Sequence, residues 1–388
     1  MRILPLFTLA LIGCGAEPAD PLDVWQCLGG RPPAVRGSPA QIFFTEQGDV
    51  VWWNAAATGQ RYLLNRAEQA WQPYDPAPGA EDLVTGSTPD GEACSAPSDC
   101  ASGLCVPTDD AGVCLSPSQP LQHVLTDGQQ VWTAWLLAPP GGAPWRPVWL
   151  RRWDPDQRAF LGTAVTPVLA EHNRLGTDQG LSGRVAALPR GGALLRGIPS
   201  TPLAGTVDAL ASTYTPLDDP AWAAVSHITS RGGLRVVLRG GEGREQGVYL
   251  VGAPDQPADD WTRLSDCGGP CGEALDLLSL GEVAYLVRQD AGVLRIDASG
   301  ATTMPTPPTT RIQAAHLDAS GVLRVVGPEV DAEGTPGDAI WRLDGSTWWP
   351  EVRVLPEAAH YFAPDGAVFR FDPNREEACL EIADAQAR

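Results

Sequence analysis

Four of the five histidines in this sequence keep nearly the same distance from a glycine. His123, His227 and His316 each lie five residues before Gly128, Gly232 and Gly321, and His360 lies six before Gly366. Imidazoles projecting from one position of neighbouring repeats can converge on a transition metal such as zinc or copper. The residue after each histidine is apolar (Val124, Ile228, Leu317 and Tyr361), and Phe44, Ala187 and Leu277 occupy the corresponding place elsewhere. In a strand, that alternation puts the histidines on the face opposite these residues. Hydrogen bonds between neighbouring sheets would satisfy them there. The expectation is a packing role, with no metal and no cofactor. His172, in the stretch AEHNRLG, reads as a loop residue.

Carboxylates are the second candidate chemistry. Asp154 and Asp156, Asp218 and Asp219, Asp255, Asp259 and Asp260, and Glu329, Asp331, Glu333 and Asp338 all fall in loop-like stretches. Such groups on adjacent loops can hold calcium or work as an acid/base pair. None follows the D-x-D-x-D-G spacing of a calcium loop. With 47 acidic against 27 basic residues and a net charge of −20, surface solvation accounts for them. Every basic residue is Arg, so a P-loop lysine, Schiff-base chemistry and a Ser-Lys dyad are all excluded. The acidic balance also excludes a phosphate-backbone reader, so no nucleic-acid partner is expected. No G-x-S-x-G or H-E-x-x-H occurs, and the Gly240–Gly247 stretch misses G-x-G-x-x-G by one residue. No catalytic residue is assigned.

The nine cysteines are Cys14, Cys27, Cys94, Cys100, Cys105, Cys114, Cys267, Cys271 and Cys379. Setting Cys14 aside leaves an even number, the arithmetic of disulfides in an exported protein. Cys94 to Cys114 run C-x5-C-x4-C-x8-C around the sequence DCASGLC. Zinc on four thiolates is the competing reading, but no C-x2-C knuckles are present. A segment this short cannot bury a core and needs staples. Three pairings are open, of which Cys94–Cys105 with Cys100–Cys114 is preferred. This stretch of about 25 residues resembles small Cys-rich modules in secreted proteins of myxobacteria and their relatives, a resemblance that implies no chemistry. Cys267 and Cys271, with three residues between them, do not form a redox C-x-x-C and read as a local disulfide.

At the N-terminus, Arg2 precedes an apolar run from Ile3 to Gly13, too short to span a bilayer. Leu11-Ile12-Gly13-Cys14 resembles the lipobox of bacterial lipoproteins. The resemblance implies a signal peptide over residues 1–13, cleavage before Cys14 and acylation of its thiol. Two or more acyl chains anchor stably where one is marginal. Gly15, in place of the Asp that retains such proteins at the inner membrane, implies an outer-membrane address, on its periplasmic or surface face. Residues 14–21 would be the tether.

The elements that position these residues repeat along the chain. Seven segments read as strand, glycine turn, strand, starting at Ala40, Leu121, Ser182, Val225, Leu275, Ile312 and Ala358. From Gly191 onward the turn glycines Gly232, Gly281, Gly321 and Gly366 follow at intervals of 40 to 49 residues. The first interval, Gly48 to Gly128, is 80 residues and contains the Cys-rich stretch 90–116. A unit of about 40–50 residues matches one four-stranded propeller blade. Further strands follow, at Val148, Gln246, Gly292 and Ala339. The pattern resembles β-propellers of the WD-repeat and regulator-propeller kind, without regular Gly-His and Trp-Asp pairs.

The expected fold is therefore all-β, a seven-bladed propeller over residues 22–388 with 90–116 as an insertion. Its seventh unit is one strand short. Asp23 to Cys27 can supply that strand, which would bring Cys27 beside Cys379 in a closing disulfide. The function expected is a lipid-anchored envelope module that binds a protein or a glycan through its loops. The alternative is a propeller-fold glycan-active hydrolase or lyase that uses acidic loop residues or a metal.

Overall fold

The computed structural model describes residues 25–29, 40–44, 50–54, 61–65, 68–74, 86–101, 105–107, 112–114, 123–126, 131–136, 148–154, 159–166, 185–187, 192–196, 204–208, 213–217, 219–240, 244–330, 336–354, 359–363, 365–371 and 379–383. Residues 1–24, which include Cys14 and the expected signal peptide and tether, and His172 lie outside the described residues.

The chain begins with β1 (Trp25–Gly29). A first sheet follows from β2 (Ala40–Phe44), β3 (Val50–Asn54), β4 (Arg61–Asn65) and β5 (Ala70–Pro73). The Cys-rich module holds β6 (Ala93–Cys94), β7 (Cys105–Pro107) and β8 (Gly112–Cys114). The second sheet is β9 (His123–Thr126), β10 (Val131–Leu136), β11 (Val148–Asp154) and β12 (Ala159–Thr166). The third is β13 (Val185–Ala187), β14 (Gly192–Arg196), β15 (Ala204–Asp208) and β16 (Thr213–Pro216). A single helical turn, α1 (Ala221–Ala224), leads into the fourth: β17 (Val225–Thr229), β18 (Leu234–Leu238), β19 (Gly247–Val251) and β20 (Thr262–Ser265). The fifth is β21 (Ala274–Leu280), β22 (Val283–Arg288), β23 (Val293–Asp297) and β24 (Gly300–Thr303). The sixth is β25 (Ala314–Leu317), β26 (Leu323–Val330), β27 (Pro336–Asp344) and β28 (Thr347–Val354). The last is β29 (Ala359–Phe362), β30 (Val368–Phe371) and β31 (Leu380–Ala383), with β1 added as its fourth strand.

Each four-stranded sheet is an antiparallel meander in chain order, apart from the returning β1. The seven segments read as strand, turn, strand each form the first hairpin of a sheet. The sheets stack like propeller blades. First strands lie beside first strands (β2 by β9, β13 by β17, β17 by β21, β21 by β25), and fourth strands beside fourth strands (β12 by β16, β20 by β24, β1 by β5).

Stacking on both faces buries the middle strands throughout: all five residues of β18, Arg235 included, and all four of β30, Arg370 included, are buried. The hairpin tips touch as well. At Gly232, φ is +89°, and an added Cβ would lie 2.0 Å from the carbonyl oxygen of Gly281 in the next hairpin. Only glycine meets both demands.

Apolar clusters fill the interfaces between sheets. Val237 and Val248 of the fourth sheet pack on Leu277, Leu286, Leu294 and Ile296 of the fifth. Val287 and Val293 of the fifth pack on Leu317, Leu323, Val325 and Trp341 of the sixth. Phe369, Phe371 and Leu380 of the last sheet pack on Ile42, Phe44, Val50 and Leu64 of the first, and the Phe44 and Phe369 rings lie 5.1 Å apart.

The Cys-rich module forms a separate three-stranded sheet, β6-β8-β7, whose core is its own cysteines. The disulfides are Cys94–Cys105 and Cys100–Cys114, with Cα separations of 6.0 and 5.3 Å. Asp99 shapes the loop before Cys100 by accepting the backbone N–H groups of Ser95 and Ala96 at 2.8 and 2.9 Å. Gly86 and Thr88 already bond to Cys100 and Asp99, so the unit starts before residue 90. Cys267 and Cys271 are bridged locally.

The register of β1 bears on the expected Cys27–Cys379 bridge. β1 does pair with β31, but Cys27 stands opposite Glu381, and the ladder slips between Cys27 and Gly29. Cys379, two residues before Glu381, is a diagonal neighbour rather than a facing one. A cross-strand disulfide needs Cβ atoms about 4 Å apart.

Candidate functional site

Ionisable side chains concentrate in one interface, between the sixth and last sheets. Arg324, early in β26, donates through Nη1 to Asp318 Oδ2 at 2.6 Å and through Nε to Glu351 Oε2 of β28 at 2.8 Å. All three are buried. Asp318 also accepts the backbone N–H groups of Ser320 at 2.8 Å and Val322 at 2.9 Å, so one carboxylate closes the turn and neutralises the arginine. Burial alone would raise its pKa. The hydrogen bonds from Ser320, Arg324 and Val322 outweigh burial and hold it below the usual carboxylate range. The last sheet's hairpin tip lies over this cluster, since a Cβ on Gly366 (φ +86°) would meet Asp318 Oδ2 at 2.6 Å.

Across the interface, Arg370 of β30 is bonded to Glu381 of β31. Its guanidinium lies 4.2 Å from the centre of the Trp25 ring, a cation–π contact. Trp25 Nε1 in turn donates to the carbonyl of Arg353 in β28 at 3.3 Å. Strand β1 is thereby tied to both sheets.

Two histidines enter the same interface. His316 of β25 stacks on Phe362 of β29, with centroids 4.9 Å apart and planes 10° apart. His360 of β29 lies 6.3 Å from the Trp25 ring. Burial first, then Arg324, pushes His316 down to about 4, against the opposing pull of Asp318 and a hydrogen bond with the Ala363 backbone. Burial and then Arg370 push His360 down to about 4. Both are neutral at pH 7. The expected hydrogen bonds between sheets do not satisfy them fully, because the Nε2 atoms of both are buried with no partner.

The shared-face expectation also changes. His316 faces the last sheet, and His227, across from Val237, faces the fifth. The six-residue spacing before Gly366 turns His360 to the other face of its strand, back toward the sixth sheet. For His123 the backbone pairing with Ala134 is what is described. Among the described residues, the one close set of three metal-ligand types is Cys94, Cys100 and Cys114, and those thiols are in disulfides.

Of the acidic loop residues, Asp156, Asp218, Asp331 and Glu333 lie outside the described residues, and Asp219, Asp259 and Glu329 are dispersed in structural contacts. Asp219 accepts from the backbone of Ala221 at 2.9 Å and of Ala258 at 2.7 Å, Asp259 pairs with Arg244, and Glu329 lies 3.6 Å from Arg353. Arg288 joins Glu273 and Asp290 and donates to the carbonyl of Gly268 at 2.7 Å, fixing the loop of the Cys267–Cys271 disulfide.

Sequence reasoning passed over Asp276. It stands five residues before Gly281, the position held by His227 and His316 in their own hairpins. Burial pushes its pKa up to about 6, opposed by the Leu277 N–H that donates to Oδ1 at 2.8 Å. The repeat alignment was the signal that could have found it.

No family model and no curated protein matches the chain. Among solved structures, it is similar to a GH74 xyloglucanase from Xanthomonas campestris at 13% identity and a TM-score of 0.49, over 93% of this chain and 54% of that one. It thus spans about half the xyloglucanase's length. A chain of a mitotic checkpoint complex is similar at 11% identity and a TM-score of 0.47, over 99% and 98% of the two chains. YCF48 from Cyanidioschyzon merolae is similar at 13% identity and a TM-score of 0.31, over 48% and 64%. At such scores the architecture rests on strand pairing. By that pairing, the protein is all-β, with four-stranded antiparallel sheets stacked in the propeller manner.

Proposed function

We propose that this protein is a lipid-anchored, seven-bladed propeller of the bacterial cell envelope that binds a protein or a glycan through its loops. The pairing of β1 with β31, and the packing of the last sheet on the first, support a closed ring joined by a strand from the N-terminus. The lipobox-like Leu11-Ile12-Gly13-Cys14 supports the anchor, with a tether that three residues separate from the closing strand.

Binding is favoured over catalysis by one observation: the clustered ionisable groups are consumed in joining strands. Arg324 is held by Asp318 and Glu351, Arg370 by Glu381, and Arg288 by Glu273 and Asp290. A catalytic carboxylate pair instead needs to face a shared space that a substrate can enter.

Crosslinking in intact envelopes, followed by mass spectrometry, tests the binding reading. One stoichiometric protein or glycan partner is the expected result, and recovery of the uncrosslinked chain alone contradicts it. Cys14→Ser tests the anchor and is expected to abolish detergent partitioning. The alternative, a glycan-active hydrolase, has one observation in its favour: a carboxyl held near pH 6, as at Asp276, suits a general acid. Glycan cleavage abolished by Asp276→Asn would establish that alternative.

A further inference from the structure

We propose that the interface between the sixth and last sheets is an acid-operated seam, in which protonation of His316 and His360 loosens the hold on the N-terminal strand β1. The argument rests on what surrounds the two rings. Each Nε2 is buried without a hydrogen-bond partner, so a proton added there creates a buried cationic N–H with no acceptor. Around His316 stand Arg324 across the β25–β26 ladder, Asp318 in the following turn and, at longer range, Arg231 in the β17–β18 turn. The facing residue of β29 is the uncharged Phe362.

The nearby carboxylates have no free oxygen to offer. Asp318 Oδ1 accepts from Ser320 and Val322, Oδ2 accepts from Arg324, and both oxygens of Glu351 face Arg324. Around His360 the charged groups are Arg370 directly across on β30, Glu381 on β31, which Arg370 engages, and Arg353 on β28, which faces Glu329. Imidazolium at either position therefore meets an arginine first. Burial and these arginines already hold both rings neutral far below the ordinary histidine range.

Opening relieves the conflict, because exposed imidazoles take up protons freely. The strand most affected is β1, whose Trp25 touches His360, Arg370 and the backbone of β28. The predicted consequence is that mild acid frees the segment joining the body to its N-terminal tether, while the apolar interface of the fourth and fifth sheets stays closed.

Hydrogen exchange of the full chain, read by mass spectrometry at pH 7.5 and pH 5 and corrected for intrinsic rates, tests this. Protection of residues 25–29 and 359–362 should fall about 30-fold for each histidine released, with residues 234–238 and 284–287 little changed. Uniform loss across all four segments, or no loss in the first two, overturns the proposal. The His316→Phe, His360→Phe double variant should abolish the acid effect. Should that variant fail to fold, the wild-type imidazole resonances decide by NMR. Neutral rings persisting until β1 loses protection agree with the seam, and rings that titrate near pH 6.5 with β1 still protected contradict it.

Discussion

Between the fourth and fifth sheets, Val237 and Val248 meet Leu277, Leu286, Leu294 and Ile296, with the buried Arg235 donating to the Gly281 carbonyl at 3.1 Å nearby and no ion pair inside the cluster among the described residues. Between the sixth and last, a smaller apolar set of Val326, Ile340, Val352, Val368 and Ala383 shares the interface with Arg324, Arg370, Glu351 and two neutral histidines. Both interfaces join meanders of the same design. The first draws its stability mainly from area removed from water, which no proton titrates. The second depends on each charge keeping its partner, so it can be undone by one proton or one substitution. The difference teaches that the sheet completed by an N-terminal strand is also the one held by polar contacts.

The largest expected effect is at Arg324. Arg324→Leu leaves Asp318 and Glu351 buried without their cation, and should cost about 3–5 kcal/mol by denaturant unfolding at pH 7. A loss below about 1 kcal/mol would show that the cluster is solvated and would erase the contrast between the interfaces. Leu286→Ala, in the apolar interface, should cost about 2–4 kcal/mol through transfer and cavity terms. Its cost should be the same at pH 5 and pH 7.5. A cost that changes with pH would show that a change of charge, as at His227 on the same face, is coupled to this packing.

Asp276 sharpens the comparison because its sign is opposite. A histidine whose folded pKa is depressed to about 4 contributes stability above pH 6.5 that is lost as the pH falls from 6.5 toward 4. Asp276, raised to about 6, is destabilising when charged, and that penalty is relieved as the pH falls through 6. Asp276→Asn should therefore stabilise the protein by about 1–2 kcal/mol at pH 7.5, with the gain gone by pH 4 in parallel melts. The smallest effect is expected for the Cys-rich module. Deleting residues 86–116 should leave the stability of the body within about 0.5 kcal/mol, because the module's core is its own disulfides. Loss of cooperative unfolding would show that the module supports the first sheet.

Much of the fold was legible because hairpins advertise themselves locally. Gly232, Gly321 and Gly366 mark turns that need a positive φ, and the flanking β-branched runs mark strands buried on both faces. The missing strand of the last sheet could be inferred by counting. Its register could not, since the slip after Cys27 depends on local packing and moves Cys27 opposite Glu381. The polar interface was harder still. Arg324 finds Glu351 across 27 residues and Arg370 finds Glu381 across 11, and no spacing rule selects those partners from the other acidic residues. The histidines stood out by periodicity, yet the one-residue difference at His360 decided which sheet it faces.

Closure of the last sheet by β1 is the claim on which the ring, the tether and the seam all rest. Gln26 and Ile382 are paired across β1 and β31. In a chain carrying Gln26→Cys and Ile382→Cys, with Cys27 and Cys379 changed to Ser, oxidation followed by non-reducing peptide mapping reads this pairing directly. The account predicts a bridged peptide that joins positions 26 and 382 when the folded protein is oxidised at pH 7.5, and no such peptide when the chain is oxidised only after denaturation. Persistent lack of that bridge in a folded chain, or trapping of position 26 on another sheet, would contradict it.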